Sequence, residues 1–312
     1  MTTERREIFM RGYAAILSTV VIWSTPSLFQ YYLNQFYDPW AQNFYRYSVA
    51  CLAILPFVFY GRRKLAHLDR SAFFACLIPS LPNAVHQITQ TVALFHMGPA
   101  VYTIFIRSSV IITALLALIF FPEERWIIRQ WQFQVGTFLG LVGAVGVLWF
   151  QPGQKGEPIA YSGIAIAFAA SFAWALYSVL VKRPSARLGP IYSFGLVSLI
   201  TSSLLLPLTL AFGQIATPLR VGANVNFILI ISAVTCITLA HVLYYVAIRQ
   251  VGVALSQTLQ LLCPAGALAL SALFFGERLT TAQIWSAMIL LLGAFLAMRV
   301  KSEPAPAVAE NL

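Results

Sequence analysis

Charged side chains are scarce in this chain, only 10% of its 312 residues, and acid is missing from the places where it would matter most. Glu4, Glu7, Asp38, Asp69, Glu123, Glu124, Glu157, Glu277, Glu303 and Glu310 all fall at a terminus, in a hydrophilic gap or at the end of an apolar run. A soluble domain carries about a quarter charged residues, so a water-soluble fold is excluded. No pair of carboxylates stands inside an apolar run to perform acid–base chemistry. Cysteine is sparse as well. Cys51, Cys76, Cys236 and Cys263 each sit within an apolar run, with neither zinc nor redox spacing. They read as small buried residues, and neither a metal nor a cofactor is expected. Long hydrophilic stretches are also missing, which leaves no room for a soluble catalytic module.

What the chain has instead is apolar length. Hydrophobic residues make up 59% of it and gather in runs at about 12–33, 41–60, 72–95, 99–121, 131–150, 160–181, 190–212, 226–248, 253–275 and 283–300. A bilayer-crossing helix needs about 20 mainly apolar residues. Isolated strands would leave backbone groups unsatisfied in lipid, and the runs lack the alternation of a barrel wall. The expected fold is an all-α integral membrane protein of ten transmembrane helices, with the lipid bilayer as its main partner.

The formal net charge of +10 does not point to nucleic acid, because the Lys and Arg residues sit in short gaps rather than on one face or tail. With the N-terminus placed in the cytoplasm, the inner gaps hold Arg5, Arg6, Arg11, Arg62, Arg63, Lys64, Arg70, Arg125, Arg129, Lys182, Arg183, Arg187, Arg249, Arg299 and Lys301. The outer gaps hold Lys155, Arg220 and Arg278. That asymmetry is the positive-inside pattern and places both termini in the cytoplasm. The run that begins near Tyr13 has no small-residue cleavage site and is expected to be the first span, not a signal peptide. The Pro- and Ala-rich tail, 302–312, reads as disordered, and its Glu310-Asn311-Leu312 resembles a tag remnant.

The runs repeat. Shifting the fourth onto the ninth by 154 positions sets Gly98 on Gly252, Ala100 on Ala254, Phe120-Phe121 on Phe274-Phe275 and Glu123 on Glu277. Shifting the first onto the sixth by 151 sets Gly12 on Gly163, Trp23 on Trp174 and Ser27 on Ser178. The chain therefore divides into a five-helix repeat at 1–151 and a second at 152–301. An odd number of spans per half makes the two repeats inverted, an arrangement found in alternating-access carriers whose substrate site lies between the repeats.

These paired halves, with Trp23-Ser24-Thr25, Arg46-Tyr47 and the Phe-Phe-Gly-Glu-Arg-Leu stretch at 274–279, resemble the EamA type of the drug/metabolite transporter superfamily. The resemblance covers about 12–300 and implies export of amino acids, other metabolites or drugs, from a multi-pass position in the bacterial inner (plasma) membrane. The first half departs from the pattern: Pro122-Glu123-Glu124 stands where the second has Gly276-Glu277-Arg278, and Arg107-Ser108-Ser109-Val110 where it has Leu261-Leu262-Cys263-Pro264.

Arg107 lies near mid-depth of the fourth run, where an arginine costs at least about 2.5–3.5 kcal/mol. A guanidinium there either grips a substrate carboxylate or phosphate, or bonds helix-end carbonyls. Arg46, close to the outer end of the second run, is expected to snorkel to the headgroups. Asn83, His86, Gln87 and Gln90 form a polar stripe at i, i+3, i+4 and i+7, with Pro79 and Pro82 expected to kink the helix just before it. Trp23, Ser27 and Gln30 near Pro26, Tyr102, Trp174, His241 among Thr235, Thr238 and Tyr245, and Ser256, Gln257 and Gln260 before Pro264 are expected to converge on it. Trp40, Trp131, Trp149 and Trp285 read as interfacial anchors, and Thr280 as the cap of the tenth helix.

The reading is a secondary carrier, not an enzyme, exporting a small polar metabolite by alternating access, an amino acid or other carboxylate-bearing solute above all. Without a membrane carboxylate a cationic drug is a poor substrate, and proton antiport would fall to His86 or His241; gradient-driven flow is equally allowed. An intramembrane enzyme lacks a Ser, His and acid set at depth. A scaffold or sensor does not require the polar stripes. A homodimer stays open.

Overall fold

Pro26, Pro39, Pro99 and Pro190 each stand in the first turn of a helix, where a missing N–H leaves no bond unmade. The computed structural model describes residues 3–60, 70–150, 161–275 and 280–300. Arg62, Arg63, Lys64, Asp69, Lys155, Glu157, Gly276, Glu277, Arg278, Leu279, Lys301 and the 302–312 tail lie outside the described residues. So do the side chains of Glu4, Arg5, Arg6, Ala100, Phe274 and Phe275.

In the first half α1 (Thr3–Ile22) and α2 (Pro26–Leu33) form one run, followed by α3 (Pro39–Tyr60) and α4 (Arg70–His96). Next come α5 (Pro99–Ile106) with α6 (Ser108–Phe120), the short α7 (Arg125–Arg129) and α8 (Trp131–Trp149). The second half begins with α9 (Tyr161–Leu180), α10 (Lys182–Leu188), α11 (Pro190–Phe212) and α12 (Thr217–Arg220). In the eighth run a π-helical stretch, Ala233–Leu239, joins α13 (Ala223–Ser232) to α14 (Ala240–Val251). A 3₁₀ turn, Gln260–Leu262, separates α15 (Val253–Leu259) from α16 (Cys263–Phe275), and α17 (Thr281–Met298) closes the bundle.

Among the described residues there is no strand, and eight helical runs are long and apolar enough to cross a membrane. The other two long helices, α3 and α4, are no shorter but carry Gln42, Asn43 and Arg46, and Asn83, His86, Gln87 and Gln90. Their polarity lowers their hydropathy and, in lipid, obliges them to face protein or water.

The helices pack in matched pairs across the two halves: α8 with α17, α3 with α11, α6 with α15, and α4 with α9 as α1 packs with α14. The α8–α17 seam is made of glycine. A Cβ on Gly136 would stand 2.6 Å from the Ala297 nitrogen, and one on Gly293 would stand 2.7 Å from the Gly136 carbonyl oxygen. Small residues let the backbones touch, the usual basis of helix association in lipid.

Thr280 caps α17 as expected: its Oγ1 accepts from Gln283 N at 3.2 Å, while Gln283 Oε1 accepts from Thr280 N at 2.9 Å. Trp131, Trp149 and Trp285 stand exposed at helix ends, as interfacial anchors should. Proline marks some breaks and not others: Pro26 directly follows one and Pro264 another after one residue, while those at Arg107 and Ala233–Leu239 have none beside them. α4 runs through Pro79 and Pro82, whereas the irregular points lie at Trp23–Thr25, Arg107, Ala233–Leu239 and Gln260–Leu262. The breaks at Arg107 and Gln260–Leu262 are related by the same 154-position shift that aligns the two runs, since 107 + 154 = 261.

Candidate functional site

The polar stretches of seven runs surround one cavity of about 320 Å³, the size of a small-ligand site. Its walls come from the halves of these runs lying toward the α2 end, the α5 start and the α17 start. Trp23, His86, Gln87, Gln90, Tyr102, Arg107, Trp174, His241 and Gln260 all line it, so most of the expected site residues do converge.

Asn83 and Gln257 do not line it. Asn83 is buried against α11, exchanging hydrogen bonds with the Tyr47 hydroxyl at 2.9 and 3.1 Å and donating to Thr201 Oγ1 at 3.1 Å. Gln257 Nε2 donates to Ser178 Oγ at 2.7 Å and to the Tyr244 hydroxyl at 3.0 Å. Both belong to polar contacts between helices rather than to the cavity wall.

Arg46 corrects an expectation. It does not snorkel: only 2% of it is exposed, its Nε donates to Ser232 Oγ at 3.2 Å, and it lines the cavity with Nη1 unpartnered. The signal was present in the sequence, because Gln42, Asn43 and Arg46 form a stripe on α3 at the same helical spacing as that on α4. Arg107 is half-buried; its Nη1 donates to the Gln260 carbonyl at 2.6 Å, and its Nε is buried without a partner. The Gln260 carbonyl, which accepts from Cys263 N in the 3₁₀ turn of the ninth run, thus accepts a second bond from the arginine at the matching break of the fourth.

The cavity floor is aromatic. Trp23 and Trp174, aligned by the repeat, meet edge to face with ring centres 5.2 Å apart, and His241 lies edge-on to Trp23 at 5.3 Å. His86 packs on Trp174 at 4.9 Å, and Tyr244 stacks on it at 5.7 Å. Trp23 Nε1 donates to the Cys236 carbonyl at 2.9 Å, which fixes its ring. His86 Nδ1 lies 2.9 Å from the Ala170 carbonyl and His241 Nδ1 lies 2.8 Å from that of Ile237. A carbonyl only accepts, so each Nδ1 carries a hydrogen, and His241 Nε2 is buried without a partner.

Beyond this floor, toward the start of α1 and the end of α17, the bundle is shut. The Tyr177 and Tyr245 hydroxyls pair at 2.6 Å, and the Tyr13 hydroxyl donates to the Met298 carbonyl at 3.1 Å. Glu124 is the centre of the closure: buried, it accepts from Lys182 Nζ at 2.6 Å, Val253 N at 2.8 Å and Ala254 N at 2.9 Å. Glu123 takes a second bond from Lys182 at 2.9 Å. Partial burial pushes the Glu123 carboxyl up, but the Lys182 hydrogen bond and charge outweigh it and hold it below its usual value. Gly252 gives Glu124 its approach, with a φ of +89° and space for a Cβ only 3.0 Å from the carboxylate. The four cysteines are free and buried, Cys236 and Cys263 on the cavity wall. Among the described residues no three His, Cys, Asp or Glu side chains gather as a metal site.

The sequence pattern of the EamA-like transporter family matches residues 10–149 and again 161–299. A protein of Haemophilus influenzae (strain ATCC 51907 / DSM 11121 / KW20 / Rd), called an uncharacterized transporter, is 24% identical over 189 residues, 61% of this chain. The chain spans 62% of that relative's length. A protein of known crystal structure superposes with a TM-score of 0.75 at 20% identity, over 94% of this chain and 96% of the other, a likeness of fold.

Proposed function

This chain belongs to the EamA-like transporter family, and from that membership we propose that it is a secondary carrier exporting a small carboxylate-bearing metabolite, an amino acid above all, by alternating access. Ten spans form two inverted five-helix repeats, with both termini in the cytoplasm of a bacterial cell and the cavity facing out. The paired packing of equivalent helices, the matched breaks and the double family match support the repeat. One cavity, open on one side of an aromatic floor and sealed on the other by Glu124 and its partners, is the form an alternating carrier takes in one of its two states.

The observation that carries the substrate reading is the cavity's charge: Arg46 and Arg107 line it and no acid does. A cation would enter against two guanidiniums, whereas a carboxylate gains charge-assisted bonds. The test is counterflow in proteoliposomes with pooled labelled amino acids, nucleotides and organic cations, comparing the native chain with Arg107→Ala. Counterflow of a carboxylate-bearing solute that disappears in the variant is expected. Robust cation transport indifferent to Arg107 would overturn the reading of the cavity.

A further inference from the structure

Both cavity arginines hold a nitrogen in reserve. Arg46, 2% exposed, spends Nε on Ser232 and leaves Nη1 without a partner. Arg107 spends Nη1 on the Gln260 carbonyl and leaves Nε without one. Two neutral donors on the same wall, the Tyr102 hydroxyl and Gln260 Nε2, are also buried and unpartnered. Among the buried, unpartnered side-chain atoms of the wall, the one nitrogen acceptor is His241 Nε2, and the Tyr102 hydroxyl can accept as well as donate.

The charges are as one-sided as the hydrogen bonds. A guanidinium stays ionised under all ordinary conditions, so the wall carries two positive charges, and none of its residues is Asp or Glu. The ion pairs among the described residues, Arg11 with Glu7 and Lys182 with Glu123 and Glu124, involve neither arginine. An unpaired buried charge is costly, and two of like sign in one cavity add their repulsion. A monoanion neutralises half of this. A zwitterion also brings an ammonium toward two guanidiniums, with neutral oxygens and rings but no carboxylate on the wall to receive it.

We propose that the cavity selects a compact oxyanion of charge −2, a dicarboxylate or a phosphate monoester, with Arg46 and Arg107 sharing its two charges and Tyr102 and Gln260 donating to its remaining oxygens. This rests on the reading of the cavity as the transport site, and it replaces the amino acid put first there by a compact dianion, carboxylate or phosphate. Arg46 is the residue that distinguishes a dianion from a monoanion, because Arg107 is already half-committed to the protein backbone.

The experiment is counterflow in proteoliposomes with labelled succinate, glycerol 3-phosphate, lactate and alanine, for the native chain, Arg46→Gln and Arg46→Lys. The variants' thermal unfolding is followed to show that they are folded. The native chain is expected to exchange at least one dianion about tenfold better than lactate or alanine, the scale of one charged hydrogen bond. Arg46→Gln removes that preference, lowering dianion exchange about tenfold more than it lowers lactate exchange, and Arg46→Lys, which keeps the charge without the fork, restores part of it. Which dianion moves separates the dicarboxylate from the phosphate source. Exchange of alanine or lactate as fast as either dianion, or an equal loss of all four in Arg46→Gln, overturns the dianion assignment and leaves the carrier standing. No exchange of any probe by the folded native chain, with no stabilisation by any of them, overturns both.

Discussion

Arg107 donates a 2.6 Å hydrogen bond from Nη1 to the carbonyl of Gln260, joining the break in the fourth helical run to the matching break in the ninth. The same side chain leaves Nε buried at the cavity with no protein partner. It is therefore a structural strut and a ligand donor at once, and the two roles separate by substitution. Arg107→Lys keeps the charge and one donor, but an ammonium on a flexible stem does not reach two acceptors through a fixed fork. Arg107→Ala is expected to lower stability by about 1.5–3 kcal/mol and to abolish counterflow, with Arg107→Lys recovering more stability than transport. Thermal unfolding and counterflow on the same preparations check this; equal recovery of both would contradict it.

Gly98 and Gly252, aligned by the repeat, are not equivalent in the fold. Gly252 has a φ of +89° and ψ of 166°, a region open to glycine, and Glu124 fills the space where a Cβ would go. Gly98 has an ordinary φ of −65° and open space around the Cβ position. Gly252→Ala is expected to destabilise by about 1–3 kcal/mol, while Gly98→Ala stays close to neutral. Comparable unfolding temperatures for the two variants would count against the structure.

The Glu123–Lys182 contact sets a pH dependence at the closed end. Because the folded carboxyl sits below its usual value, the contact contributes fully above the unfolded value, about 4.3, and is lost as pH falls through the folded one. Glu123 is 59% exposed, so the effect is small and screened by salt. The unfolding temperature of the native chain should exceed that of Glu123→Gln near neutral pH and converge with it in acid. A difference that persists once the carboxyl is protonated in both states would argue for a contribution unrelated to the charge.

Cys236 and Cys263 line the cavity, whereas Cys51 and Cys76 are buried away from it. On the proposed orientation, with both termini cytoplasmic, a small membrane-impermeant thiol reagent is expected to reach Cys236 or Cys263 from the outer side alone. A bound solute should slow the reaction. Labelling restricted to the cytoplasmic side would reverse the assigned orientation.

The apolar runs were legible because lipid imposes a length and a composition on any helix that crosses it. The 151-position shift also aligned the two tryptophans that meet at the cavity floor. Helical spacing shows that residues share a face but not what the face meets. Hence Asn83 falls to α11 and Gln257 to Ser178 and Tyr244, although each shares a stripe with residues that reach the cavity, His86, Gln87 and Gln90 in one case and Gln260 in the other. Arg46 was misplaced for a related reason, since nearness to a span end says nothing about which way a long side chain turns. Glu124 was illegible as a clamp, because its partners Lys182, Val253 and Ala254 lie far off in the chain and two of them contribute only backbone.

The two uncompensated guanidiniums on the cavity wall also bear on electrical behaviour. Each elementary charge displaced through the full field of a 100 mV membrane potential is worth about 2.3 kcal/mol. Under the proposed alternating access, an empty site turning to face the other compartment would shift two such charges relative to the field, while a site holding the proposed dianion would shift none. One-for-one exchange would then be electrically silent and voltage-independent, and net one-way cycling would draw current at its return step. Solid-supported-membrane recordings distinguish the two: transient current on net flux but none on exchange is the signature, and current of equal size in both modes would mean that the arginines do not move with respect to the field.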